Sequence, residues 1–196
     1  MSNQQRLYSL KECYLIIYKA LRTMPHMVRA RKNNDLSTVF IERIMLAVTE
    51  VNNCRICSYA HAKIALEAGV SEEEIEQLLS GGSLSDVPKD ELKALLFAQH
   101  YAETRGKPSP GAWKQVKMTY DDGLAFGILA AIRIIMMGNA YGIPLGSISK
   151  RFKGESDERS TLFYEITTLL SVVIFVPIAI VHALIAKVLR LPDIKA

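Results

Sequence analysis

The sequence is poor in cysteine and carries no large excess of charge of one sign. Its 196 residues include 3 cysteines, and 24 Lys and Arg against 20 Asp and Glu give a formal net charge of +4. So small and odd a number of cysteines excludes the disulfide framework of a small secreted domain. The charge is too small and too evenly spread to indicate a nucleic-acid partner, and we expect none.

Targeting and low-complexity segments are also missing. The first residues contain no continuous apolar run followed by a small-residue cleavage site, so we expect no signal peptide and a cytoplasmic protein. No tract is dominated by the 11 Gly and 7 Pro, which excludes collagen-like and disordered classes. The hydrophobic fraction of 49% is ample for a packed core.

The periodicity of the apolar residues predicts an all-α fold. No segment alternates apolar and polar residues between turn residues, as β-strands do. Apolar residues instead recur every three or four positions, which is typical of helices. Ser71 and Glu74 have the spacing of a capping box, and Asp121 precedes a long apolar helix. Two series show the helical period: Leu10, Tyr14, Ile17, Leu21 and Met24, and then Phe40, Ile44, Ala47, Val48 and Val51.

Changes in composition divide the chain into four predicted parts. A polar, charged stretch separates the main helical region from a strongly apolar one near the C-terminus, and such stretches are typical of linkers. The predicted parts are an N-terminal helical extension (1–23), a helical domain (24–147), a polar linker (148–160) and a C-terminal apolar helical segment (161–196).

The apolar segment has two competing interpretations. From 169 to 186 only Ser171, Pro177 and His182 interrupt the apolar run, and 18 helical residues span about 27 Å, barely a bilayer core. A membrane anchor is one interpretation, giving a membrane-associated protein. We favour the other, burial against a partner subunit, with Pro177 dividing the run into two shorter helices that pack Phe175 and Ile178 on a neighbour.

Three residues form a candidate redox constellation. Cys54 and Cys57 are predicted to lie in the first turn of a helix whose N-cap is Asn53 or Asn52, where free N–H groups and the helix dipole favour a thiolate. His61 follows Cys57 by four residues, hence on the same helix face. A thiolate beside an imidazole, with a second thiol to capture an oxidised sulfur, is the minimum equipment for dithiol–disulfide chemistry.

Metal binding is the main competing interpretation of the two cysteines. A structural zinc site needs further ligands, yet the sequence has no second C-x-x-C and no H-x-x-x-H. His100 or Cys13 would have to be brought close by the fold. A thioredoxin-like site is disfavoured because its C-x-x-C follows a strand. We therefore expect no bound metal and no cofactor.

The wider motif resembles a known family. The pattern EXXXXAVXXXNXCXXCXXAH, from Glu42 to His61, and the following ALEAGVSEEEIEQLL resemble the active-site region of the alkylhydroperoxidase D / carboxymuconolactone decarboxylase family. The resemblance implies an all-helical domain that assembles as trimers or hexamers. In the thiol-bearing branch it also implies a peroxidase or disulfide reductase that acts on a small-molecule peroxide or disulfide and is recycled by a thiol reductant.

The resemblance also implies residue roles. Cys57 would attack the substrate, Cys54 would resolve the oxidised sulfur, His61 would relay protons and Glu42 would drive the relay. Glu50 is nearer to His61 in the sequence and is a rival for the carboxylate role. The alkylhydroperoxidase itself has a second histidine directly before its second cysteine, where this chain has Ile56, so the chain departs from the family's full proton relay at this position.

Two further expectations concern assembly and the alternative function. The segment 123–142 and the motif helix present more apolar surface than one small helical domain can cover, which predicts a homo-oligomer. The alternative to an enzyme is a redox-sensing or metal-binding helical oligomer whose cysteines respond to oxidants without turnover.

Overall fold

A computed structural model describes residues 7–82, 84, 86–155 and 157–194. Within these residues the chain forms helices and no strand, which confirms the all-α prediction. The helices are α1 (Leu10–Lys32), α2 (Thr38–Asn52), α3 (Arg55–Glu67), α4 (Glu72–Ser80), α5 (Leu92–Glu103), α6 (Pro110–Thr119), α7 (Asp122–Arg151) and α8 (Leu162–Val188).

Side-chain caps begin most of these helices. Ser37 and Asp121 accept hydrogen bonds from the first-turn backbone of α2 and α7, which satisfies N–H groups that have no partner within the helix. Ser71 caps α4 in the same way, but the predicted capping box is incomplete. The Glu74 carboxylate pairs instead with Arg43 of α2, with Nε–Oε1 and Nη2–Oε2 distances of 2.5 and 3.1 Å.

Helix α7 forms the centre of the core. It packs against α1, α2, α3, α5, α6 and α8, and Ile128, Leu129 and Ile132 on it are fully buried. α1 runs antiparallel to α7 and very close to it. A Cβ added at Gly127 would lie 2.8 Å from the Cβ of Ala30, so the absence of a side chain at Gly127 permits this close approach.

The apolar face of α2 is predicted correctly, but that of α1 is not. The buried residues of α1 are Cys13, Ile16, Ile17, Ala20, Thr23 and Ala30, so only Ile17 of the predicted series reaches the core. The reason is that α1 packs on two sides: its core-facing side meets α7, while Tyr14 and Leu21 face α8.

The C-terminal region differs from the sequence-based expectation in two ways. α7 continues to Arg151, through the start of the predicted linker, and the boundary predicted at residue 23 lies within α1. α8 is one continuous helix, so the expected division at Pro177 is wrong. Packing on α1 before and after the proline stabilises the helix despite the missing N–H. Phe175 does pack on a neighbour, Tyr14 of α1, whereas Ile178 is exposed.

Among the residues that the structure describes, two helices, α7 and α8, are long and apolar enough to cross a membrane by length and composition. They differ in their surroundings. The most apolar 18-residue window of α7 is 67% buried inside the protein, which is typical of a core helix, while that of α8 is 17% buried. Most of the apolar window of α8 therefore lies uncovered on the surface of the protein.

Candidate active site

The two motif cysteines lie where α2 ends and α3 begins. Asn53 ends α2 with a left-handed backbone (φ 51°, ψ 48°), which asparagine adopts more readily than most residues. The chain then starts α3 at once, with Cys54 as the N-cap and Cys57 in the first turn. The N-cap predicted at Asn52 or Asn53 is therefore wrong, because these two residues close the preceding helix.

Cys54 and Cys57 are joined in a disulfide. Cys54 is 1% exposed and Cys57 is 8% exposed, so Cys57 is the member of the pair that a solvent-borne group reaches more easily. When the pair is reduced, the unpaired first-turn N–H groups and the dipole of α3 favour thiolates at both positions. The local fold thus places both sulfurs at the positive end of a helix.

His61 lies one helical turn beyond Cys57 and bonds to Glu42. Its Nδ1 is 2.7 Å from the Oε2 atom of Glu42, whose side chain is almost completely buried. An ionised carboxylate only accepts hydrogen bonds, so with Glu42 ionised the Nδ1–H donates and Nε2 is left to exchange a proton. Residues four apart on a helix have Cβ atoms about 5–6 Å apart, which places the imidazole beside Cys57.

Glu50, the rival carboxylate, faces a different part of the protein. Its Oε1 atom lies 3.2 Å from the position that a Cβ on Gly81 would occupy. Burial, together with the charge of Glu103, raises the pKa of Glu50. The structure therefore brings Glu42, and not Glu50, into contact with His61.

Gly142 of α7 touches the disulfide and is a site residue that the sequence interpretation missed. A Cβ added there would lie 2.6 Å from the Sγ of Cys57 and 2.8 Å from the Sγ of Cys54, closer than atoms pack in protein interiors. The bare backbone of α7 thus forms one wall of the redox pair. The available signal was the spacing of Gly138, Gly142 and Gly146, which puts three side-chain-free positions on one helix face.

A cavity of about 370 Å³ lies next to this wall, between the start of α3, α7 and residues 157–159. Gly142 and Ile56 line it, so an apolar side chain stands where the family's second histidine would be. The cationic side chains of Arg55 and Lys150 also line the cavity, whereas Arg159 is held by Asp157 through hydrogen bonds of 2.9 and 2.7 Å.

Buried hydrogen bonds fix the α2–α3 junction on α7. Asn52 accepts from the Tyr8 hydroxyl at 2.6 Å and donates to the sulfur of Met136 at 3.2 Å. One turn earlier, the hydroxyl of Thr49 donates to Asn139 of α7 at 3.2 Å. Because buried polar groups are costly when unpaired, these contacts hold the end of α2, and hence the cysteines, in register with α7.

The residues considered as extra zinc ligands lie elsewhere. Burial raises the pKa of the Cys13 thiol to about 12, and His100 accepts a hydrogen bond from the backbone of Ser109 at 3.2 Å. In the part of the chain that the structure describes, no group of three or more His, Cys, Asp or Glu is arranged to hold a metal ion.

Comparison with known proteins adds to this geometry. Residues 17–99 match the carboxymuconolactone decarboxylase family. The segment that carries the cysteine pair is therefore similar to this family. The carboxymuconolactone decarboxylase family includes alkylhydroperoxidase D-like proteins, and the match covers all four motif residues but neither Gly142 nor α8. No curated protein and no solved structure gives a significant match.

Proposed function

We propose that the protein is a dithiol oxidoreductase that reduces a peroxide, or a disulfide, through Cys57 and Cys54. The observation that carries the proposal is the redox pair at the start of α3, with a carboxylate-bound imidazole one turn beyond Cys57. The match of residues 17–99 to a family that includes alkylhydroperoxidase D-like proteins supports it.

In the oxidising half of the cycle, the Cys57 thiolate attacks the terminal oxygen of a hydroperoxide. The O–O bond breaks, the alkoxide takes a proton to leave as an alcohol, and Cys57 becomes a sulfenic acid. The Cys54 thiol then attacks this sulfur, releasing water and forming the disulfide. His61 is placed to supply and accept these protons, and Glu42 is its positioning residue, since it fixes the ring and its tautomer.

In the reducing half, a thiol reductant attacks the disulfide at Cys57, which is the more exposed sulfur. Cys54 then leaves as a thiolate at the N-cap of α3, where the helix dipole stabilises it and speeds its departure. A second thiol of the reductant resolves the mixed disulfide and restores both protein thiols. The cycle therefore consumes one peroxide and two reducing thiols.

The experiment is peroxide consumption by the reduced protein, followed by mass spectrometry. We expect a peroxide added below one equivalent to form the Cys54–Cys57 disulfide. Cys57→Ser should abolish turnover, Cys54→Ser should leave a sulfenic acid on Cys57 that dimedone traps, and Cys13→Ser, at the buried third cysteine, should turn over like the wild type. Equal turnover in all variants would contradict the dithiol mechanism.

The same redox pair would serve in one alternative, a redox sensor that is oxidised without turnover. The two functions differ in stoichiometry. An enzyme consumes many equivalents of peroxide when dithiothreitol is supplied, whereas a sensor consumes one. We also propose a homo-oligomer, which sedimentation at micromolar concentration would test; a stable monomer would contradict it.

A further inference from the structure

The outer face of α8 is apolar and uncovered. From 166 to 186 the helix has no charged residue, and large apolar side chains on its outer side are exposed. A soluble monomer seldom exposes so long a contiguous apolar surface, so this face requires a cover. The exposed residues of this outer face are Leu162, Phe163, Ile166, Leu170, Val173, Ile174, Ile178, Ile180, Val181, Leu184, Ile185 and Val188.

The inner face of α8 is fixed on the protein at both ends. At its start, the fully buried carboxylate of Glu165 pairs with Arg151 of α7 at 2.8 Å. Beyond its end, Asp193 pairs with Arg22 of α1 at 2.8 Å, and its carbonyl accepts from Arg133 of α7 at 2.9 Å. α8 is therefore part of the folded domain and not a tethered anchor.

Aromatic contacts fix the middle of α8 along α1. Phe175 packs edge-on against Tyr14, and His182 stacks on Tyr18 with ring centroids 4.1 Å apart. If α8 spanned a bilayer in this arrangement, α1 would enter the hydrocarbon beside it, with Lys19 and Arg22. Burying such charges in hydrocarbon is strongly unfavourable, so a helix lying parallel to the membrane surface is the arrangement that preserves these contacts.

The width of the exposed face favours lipid over one partner helix. At 100° per residue, these exposed apolar positions extend over about 160° of the circumference of α8. A helix of a globular protein typically buries an apolar stripe of about 100° or somewhat more, so a single α8 from a second copy would leave part of this face in water. The flexible acyl chains of a lipid bilayer can cover the whole exposed face of α8.

A basic cluster lies at the end of this face. A cavity of about 390 Å³ between α1 and α8 has apolar walls that include Leu21 and Leu184. Arg29, Lys187 and Arg190 also line it, and no other described residue forms an ion pair with any of the three, whereas the carboxylate of Asp193 in the same lining is paired with Arg22. An acyl chain with an anionic headgroup matches apolar walls beside unpaired cations.

We propose that α8 lies in the plane of an anionic phospholipid bilayer. Its outer face enters the acyl region of one leaflet, and Arg29, Lys187 and Arg190 bind headgroup phosphates. This association is independent of the redox function, because it uses a helix outside the segment that carries the cysteines. It replaces burial against a partner subunit, which the sequence favoured, as the cover of α8.

The test is sedimentation of the purified full chain with vesicles of phosphatidylcholine, alone or mixed with phosphatidylglycerol. We expect binding to the mixed vesicles that weakens with salt. Val173→Glu with Val181→Glu should abolish it, while Met118→Glu on α6, at a residue as exposed as Val173, should not. Lys187→Gln with Arg190→Gln should weaken binding about 30-fold, since each basic residue near an anionic surface contributes about 1 kcal/mol.

Circular dichroism establishes that each variant is folded. Failure of the folded wild-type chain to bind the mixed vesicles would overturn the proposal, and so would unchanged binding of the folded Val173→Glu, Val181→Glu variant. An oligomer in buffer that this variant dissociates, without vesicle binding by the wild type, would show that a second copy covers α8.

A depth measurement separates a helix in the membrane plane from one that spans the bilayer. Val173 and Leu184 share the outer face of α8 and are 11 residues apart, about 16 Å along a helix. If α8 lies in the membrane plane, a tryptophan placed at each position in turn should be quenched by brominated lipids at the same depth. The native Trp113 is buried in the core, so it adds a constant background to both measurements. A depth difference approaching 16 Å would overturn the in-plane arrangement.

Discussion

Replacing Gly142 by alanine should destabilise the oxidised protein. The added Cβ would lie 2.6 and 2.8 Å from the two sulfurs, and carbon and sulfur in contact are normally about a full ångström farther apart. The disulfide prevents either cysteine from changing rotamer alone, so α7 has to move away from α3. Gly146 is the matched control, because it lies one turn later on the same helix and an added Cβ there meets nothing within 4 Å.

The expected magnitudes come from two opposing effects. Glycine in a helix interior is about 0.5–1 kcal/mol less favourable than alanine, so Gly146→Ala should raise the free energy of unfolding by that amount. Overpacking a tight site typically costs about 1–3 kcal/mol. The free energy of unfolding of Gly142→Ala should therefore be about 1–3 kcal/mol lower than that of Gly146→Ala, a difference of roughly 2–12 °C in Tm for a chain of this length.

Urea denaturation, with and without a phosphine reductant, measures the effect. The difference between the two variants should be larger in the oxidised protein, because reduced cysteines rotate independently and relieve part of the clash. The reasoning is refuted if oxidised Gly142→Ala is as stable as oxidised Gly146→Ala while the disulfide remains intact by mass.

Two further predictions concern charge. Glu42→Gln should lower turnover about 10²-fold or more, because it disturbs the orientation of His61, whereas Glu50→Gln should have little effect on turnover. Stopped-flow assays measure both variants, and a larger loss in Glu50→Gln would make Glu50 the partner of His61. Burial raises the pKa of the Glu12 carboxyl, but hydrogen bonds from Arg105 and Ser9 outweigh this effect and lower the pKa to about 2. The contribution of Glu12 to stability is therefore fully present above its unfolded pKa near 4.5, and it is lost as pH falls toward 2. Glu12→Gln should flatten the acid limb of thermal stability between these values, and an unchanged limb would contradict this ion pair.

The sequence was sufficient for several features whose determining contact is local. The start of α7 after Asp121 and the shared helix face of Cys57 and His61 both depend on residues within one or two turns. Such features follow from capping and helical periodicity alone. The pairing of Glu42 with His61 joins two helices, and only the family resemblance predicted it.

The sequence was insufficient wherever one helix meets two neighbours. α1 shows a plausible apolar series, yet the chain buries a different face because α8 packs on the side that Tyr14 occupies. Gly142 lies 85 residues from Cys57 and has no side chain to indicate chemistry. The continuity of α8 through Pro177 likewise depends on packing against α1, which no local rule about proline includes.

The pairing of α1 with α8 constrains how the chain folds during synthesis. Their contacts join residues as far apart in sequence as Tyr8 and Tyr164, or Arg22 and Pro192. A growing chain therefore completes α2 to α7 before α8 is available to pack against the side of α1 that carries Tyr14 and Tyr18. Long-range contacts of this kind form slowly, and until they form both α1 and α8 expose surface that promotes aggregation. The proportion of chains that aggregate should therefore depend on how quickly α8 follows the rest of the protein out of the ribosome.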